Sequence, residues 1–285
     1  MEEHQLNFYF SKACGEGKLD KAQNLLDKYP NIDISHNNEF PFIASCQKGQ
    51  LHMTKWLLEI KPTINISAKN DYAFCIACCF GQLEIAKWLL EVKPDINISG
   101  EDEVAFRRAC GNGHLEMAQW LLEMKPDINI YAKDEEAFCD ACHENHLDVV
   151  QWLFQLSKKK GQTMNISVEN EILFRRACGN GHLEMAQWLL QNCPDINISA
   201  NDEQSFLWAC ENGHLNIIEW LQSLKPYLYV KSCDEDEVVS YYIRSEEEAN
   251  WQRRKYGLFL STNKEEPNLL YNLPTDVAKM VLQFV

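Results

Sequence analysis

Apolar positions along residues 101–130 alternate between two helical frames. Phe106, Ala109 and Cys110 fall at i, i+3 and i+4, one face of a first helix. The acidic run Glu101-Asp102-Glu103 predicts its start, with carboxylates at the positive helix end. Small Ala109 and Cys110 let a neighbouring helix come close. Gly111-Asn112-Gly113 breaks the frame, and Leu115, Met117, Ala118, Leu121 and Leu122 then make a second helix apolar over a wide arc. Its wet stripe is Glu116, Gln119 and Glu123, so it must be buried on two sides. Pro126 cannot continue that helix, and Ile128-Asn129-Ile130 alternates like a short extended segment. The predicted unit is helix, tight turn, helix, extended loop.

The unit repeats. Its glycine recurs at Gly17, Gly49, Gly81, Gly113, Gly181 and Gly213, with Asn145 in the same place, at spacings of 32 residues and one of 36. Seven positions before it stand Phe10, Phe42, Phe74, Phe106, Phe138, Phe174 and Phe206; three before it stand Cys14, Cys46, Cys78, Cys110, Cys142, Cys178 and Cys210. Seven positions after it come Trp56, Trp88, Trp120, Trp152, Trp188 and Trp220. Asn145 tolerates the left-handed conformation of a turn glycine, so the fifth turn survives. No unit can bury its own apolar faces, so the seven must stack into a solenoid.

The turn Gly113-His114-Leu115-Glu116, the following Leu121-Leu122 and Asp127-Ile128-Asn129 resemble the second helix and hairpin of an ankyrin repeat. The resemblance spans about residues 7 to 228 and implies an all-α, ankyrin-type helix-turn-helix solenoid with short extended hairpin loops. Two features depart from the family pattern. The Thr-Pro-Leu-His of the first helix is replaced by stretches such as Val104-Ala105-Phe106-Arg107, and the period is 32 against about 33. Shorter hairpin tips follow. With Trp and Cys in fixed slots, the array resembles those of large DNA viruses of amoebae.

The expected organisation is an array over residues 1–228, a degenerate closing repeat or cap over 229–264, and a C-terminal helix over 265–285. In the closing repeat Asp234-Glu235-Asp236-Glu237 could start a first helix and Glu246 to Tyr256 a second. In the terminal segment Val277, Met280, Val281 and Phe284 form an apolar stripe behind a Thr275 cap. One reading makes it a helical cap on the last repeats. The other is that Leu273-Pro274 and this helix resemble the opening of an F-box. On that resemblance Leu273, Pro274, Val277, Val281 and Phe284 would dock on a ubiquitin-ligase adaptor.

Composition narrows the function classes. A formal net charge of −15, from 42 acidic and 27 basic side chains, argues against counterion-driven binding to nucleic acid or attraction to an anionic bilayer. No apolar stretch approaches the roughly 18 residues of a membrane helix. The start Met1-Glu2-Glu3-His4-Gln5 has no signal-peptide pattern, so an intracellular, cytoplasmic chain with reduced thiols is expected, in the host cytoplasm if the array is viral.

Each chemical motif has a simpler account in the repeat. Cys139-Asp140-Ala141-Cys142-His143 has haem-attachment spacing, and Cys75, Cys78 and Cys79 could suggest a metal site. Yet Cys78 and Cys142 occupy a slot filled by cysteine in every unit, so they read as small core hydrophobes. Asn65-Ile66-Ser67, Asn97-Ile98-Ser99, Asn165-Ile166-Ser167 and Asn197-Ile198-Ser199 match glycosylation sequons but share one hairpin position. The family resemblance implies asparaginyl hydroxylation at Asn65, Asn97, Asn129 and Asn197. His114, His146, His182 and His214 are turn residues, one per unit. No catalytic motif remains, so no enzyme, cofactor or metal is expected.

A solenoid repeats its scaffold and places specificity where units differ. Counting back from the glycine, the two positions before it and the fifth before it are heterogeneous, and by resemblance the former face a concave groove. They select Phe80, Arg108, His143, Arg176 and Trp208 as partner-binding candidates. Phe80 and Trp208 could each serve a partner or pack inward. The sequence thus predicts a monomeric scaffold for another protein or, as the alternative, a ligase substrate receptor.

Overall fold

The computed structural model describes residues 3–167, 169–225, 228–232 and 239–243. Its backbone follows the predicted alternation. In a first unit, residues 1–169 with 191–193, five helix pairs succeed one another. They are α1 (Glu3–Gly15) with α2 (Leu19–Lys28), α3 (His36–Gln47) with α4 (Leu51–Ile60), α5 (Ala68–Cys79) with α6 (Leu83–Val92), α7 (Gly100–Gly111) with α8 (Leu115–Met124), and α9 (Ala132–His143) with α10 (Leu147–Lys159). A second unit, which begins at Asn170 and leaves out 191–193, holds α11 (Ile172–Gly179), all but the last two residues of α12 (Leu183–Asn192), α13 (Ala200–Glu211) and α14 (Leu215–Leu224). It also holds an antiparallel hairpin of β1 (Leu228–Ser232) and β2 (Val239–Ile243), registered with Val230 opposite Tyr241. Within the first unit the first helices α1, α3, α5, α7 and α9 lie side by side, each packed on its own second helix. The fold is an ankyrin-type helical solenoid.

The core is the repeated slot. All seven phenylalanines of the pattern are fully buried, with the alanines and cysteines one turn further on. Burial pushes the Cys14 and Cys46 thiols up to about 12 and raises those of Cys78, Cys110, Cys142 and Cys178 well above their ordinary value. These are inert core thiols. Tryptophan couples neighbours: Trp56 lies 6.5 Å from Phe10, Trp120 6.4 Å from Phe74 and Trp152 6.2 Å from Phe106, ring to ring and tilted, each reaching the preceding repeat. The turn glycines take positive φ, and a Cβ on Gly81 (φ +66°) would stand 2.6 Å from the His114 ring of the following repeat. Asn145 adopts φ 63°, as its side chain allows.

The acidic runs do not begin right-handed helices. Glu101, Asp102 and Glu103 have φ of 50°, 55° and 66°, a left-handed turn from which the right-handed helix departs at Val104. The same turn recurs at Asn37–Glu39, Lys69–Asp71, Lys133–Glu135, Glu169–Glu171 and Asn201–Glu203. Left-handed backbone costs roughly 1–2 kcal/mol per residue, and hydrogen bonds offset that cost. At five of these turns the closing carboxylate reaches the next loop: Glu39 accepts from the Asn65 N–H at 3.1 Å, Asp71 from Asn97 at 3.1 Å, Glu103 from Asn129 at 3.3 Å, Glu135 from Asn165 at 2.8 Å and Glu171 from Asn197 at 3.4 Å.

Beyond the array, Val239–Ile243 is a strand where the acidic run Asp234–Glu237 suggested a first helix. Its Val-Ser-Tyr-Tyr-Ile sequence, β-branched and aromatic, suits a pleated segment. The expected second helix of that repeat lies outside the described residues. So does the terminal segment with Leu273, Pro274, Val277, Val281 and Phe284.

Candidate protein-binding surface

In each first helix the phenylalanine, alanine and cysteine point to the core, so the residues half a turn away face outward. Counted back from the turn glycine these are positions nine, five and one. On α5 they are Tyr72, Ile76 and Phe80, with Cys79 beside them; Tyr72 is 43% and Phe80 40% exposed, while Ile76 and Cys79 are half-buried. The i, i+4, i+8 spacing makes one apolar stripe along the outward side of the helix. On α3 the corresponding residues are Phe40, 43% exposed, half-buried Ala44 and exposed Lys48. On α1 they are Phe8, Lys12 and Glu16, all exposed, with Lys12 and Lys18 both paired to Glu16.

Beyond α5 the surface turns polar. On α7 Val104 is half-buried and Arg108 exposed; Arg108 lies 3.5 Å from both Glu136 and Asp140 of α9. Burial first, and then the neighbouring Glu136 carboxylate, hold the Asp140 carboxyl above its usual range. His143 is exposed at the end of α9, its Nδ1 2.8 Å from Glu144. The adjacent Arg107, 7% exposed, has a different task. Its guanidinium donates to the Asp102 carbonyl at 2.7 Å and the Glu101 carbonyl at 3.1 Å, and pairs with Glu136. It ties the left-handed turn to the next first helix.

The structure therefore brings Phe80, Arg108 and His143 onto one side of the first unit. Arg176 and Trp208 belong to the second. Arg176 is exposed on α11. Trp208 packs in part: its Cβ would lie 3.0 Å from a Cβ on Gly179, and the Arg175 guanidinium stands 5.7 Å from its ring. On α7 and α11 the residue two before the turn glycine lies in a seam against the next first helix, whereas His143 at the same position is exposed. Gly111 is buried, and a Cβ there would meet the Asp140 Cβ at 2.9 Å. Phe40 and Tyr72 were missed by the sequence reading; aromatic residues at position nine in the first three repeats were the available signal.

Other motifs disperse. Cys142 is buried while His143 faces out, so the haem-like spacing does not converge. Among the described residues no group of three or more His, Cys, Asp or Glu could hold a metal ion, and no helix is long and apolar enough to cross a membrane. The Asn65, Asn129 and Asn197 side chains accept from the N–H two residues on, at 3.1 to 3.2 Å, which fixes the loop before each left-handed turn.

A family model described as ankyrin repeats in three copies matches residues 10–102 and 139–232, and a single ankyrin-repeat model matches 105–130. The chain belongs to the ankyrin-repeat family. Ankyrin repeats are generally protein-protein interaction domains, and no enzymatic family is indicated. No curated protein matches the chain. Among solved structures, the crystal structure of the human ASB11 ankyrin repeat domain is similar at 17% identity and a TM-score of 0.47, covering 70% of this chain and 96% of that one.

Proposed function

We propose that the chain is a non-catalytic scaffold whose partner protein docks on the outward side of α3, α5 and α7 and extends to Arg108 and His143. The stripe on α5 carries this reading. Tyr72, Ile76, Cys79 and Phe80 leave a helix face apolar along its length in a chain of net charge −15, and contiguous exposed apolar surface marks interaction sites. The core slots recur from repeat to repeat while this surface changes, as expected of a specificity-bearing surface. Buried free thiols in all seven repeats support a reducing, intracellular compartment. In the second unit Arg176 and Trp208 supply a further contact.

Affinity purification with the tagged chain, quantified by mass spectrometry, tests the proposal. Tyr72→Asp with Phe80→Asp, and separately Phe40→Asp, should each lose at least tenfold a set of proteins retained by the native chain. Their melting curves should match the native one. Equal recovery from folded variants would sink the reading, and Arg176→Glu reports on the second unit.

A further inference from the structure

We propose that the partner presents an amphipathic helix lying across α3, α5 and α7, its apolar side on the α5 stripe and its basic end on Asp140 and Glu144 at the end of α9. The inference rests on the preceding reading and follows from the dimensions and charge of the surface. Tyr72 to Phe80 extends about 12 Å along α5 at 1.5 Å per residue. Neighbouring packed helices lie about 8–10 Å apart, so Phe40, Tyr72 and Val104 span roughly 20 Å across the repeats. An extended segment, about 5 Å wide in its sheet plane, would leave much of this surface wet. A helix with its side chains is about 10–12 Å across and covers it. Residues seven apart on such a helix are separated by about 10.5 Å, close to the spacing of successive repeats.

Charge sets the orientation. On α1 and α3 the outward rows carry Lys12, Glu16 and Lys48, with Lys12 and Lys18 both on Glu16. On α7 and α9 they carry Arg108 against Glu136, Asp140 and Glu144, an excess of carboxylate. Arg107 and Arg108 both pair with Glu136, so the surplus rests on Asp140 and Glu144. A partner's Arg or Lys is complementary to the α9 end and repelled by the opposite one.

A phage-displayed library of random 24-residue peptides, panned on the full chain and counter-selected on Ile76→Asp, tests this. Tyr72→Asp serves as the counter-selection should Ile76→Asp melt below the native chain. Clones that need the native surface should carry apolar residues at i, i+3 or i+4 and i+7, with Lys or Arg gathered at one end. The corresponding synthetic peptides should bind at least tenfold more weakly to Asp140→Lys with Glu144→Lys. Surface-dependent clones that are acidic, rich in proline or without helical spacing would overturn the helix while leaving the surface in place. Absence of any clone lost on both Ile76→Asp and Tyr72→Asp would overturn both.

Discussion

Arg107 and Arg108 are neighbours in sequence and opposites in function. A helix turns 100° per residue, which buries Arg107 against Asp102 and Glu101 and leaves Arg108 outside. The repeat register singled out Arg108, but nothing in the sequence announced the task of Arg107, because a buried guanidinium needs backbone carbonyls whose position depends on the unforeseen left-handed turn. Arg107→Met should lower stability by on the order of 3 kcal/mol in urea unfolding, since it leaves two carbonyls without their donor and the partly buried Glu136 with Arg108 alone. Arg108→Met should cost less than about 1 kcal/mol, as exposed pairs do. Similar losses would contradict the assignment. His114 gives a second test. Burial, opposed by a hydrogen bond to the Cys79 backbone, holds its pKa below the ordinary 6.5. The unfolded chain therefore takes up that proton first; the stability contribution is complete above pH 6.5 and is lost as pH falls through the lower folded value. Gln50 and Gln82 fill the equivalent turn position, so His114→Gln should fold and show a smaller drop in melting temperature between pH 7 and pH 5. An unchanged drop would assign the acid sensitivity to other groups.

At the scale of the element, the helices were legible and the connections were not. Helical period identifies which face is buried, and it placed the breaks at Gly113 and Pro126. Handedness over three residues leaves no trace in a period. It does leave one in residue type, because the middle residue of each turn is Asn38, Asn70, Asp102, Asp134, Asn170 or Asp202, the side chains that tolerate left-handed backbone, and the closing residue is always Glu or Asp. By composition the acidic run looks like a helix-dipole device; its last carboxylate is instead a lateral tie to the next loop. Asp134 is exposed with φ 55°. Asp134→Gly should preserve stability or raise it by up to about 1 kcal/mol, and Asp134→Val should lower it by about 1 kcal/mol or more. A right-handed start would give the reverse for glycine, which weakens ordinary helices.

For the molecule as a whole, the sequence revealed a stack of repeats and the structure adds how neighbours are coupled. Each contact from tryptophan to the preceding phenylalanine crosses one repeat boundary, so the first unit is a chain of local agreements without a single centre. The outward surface was legible in part for the same reason. Repetition exposes positions where units differ, which found Phe80, Arg108 and His143, but Phe40 and Tyr72 sit near the helix start, where the assumed right-handed entry hid their outward direction. Coupling between neighbours makes a definite prediction. Trp120 stands against Phe74 across the boundary between α5–α6 and α7–α8. Trp120→Ala should cost on the order of 3 kcal/mol, toward the low end for tryptophan truncation because the side chain is only half-buried. The cost falls on one interface, so hydrogen exchange should accelerate first in α5 to α8 while α1 and α2 keep their protection. Uniform acceleration over α1 to α10 would mean that the five repeats unfold as one cooperative core, and the nearest-neighbour description would be abandoned.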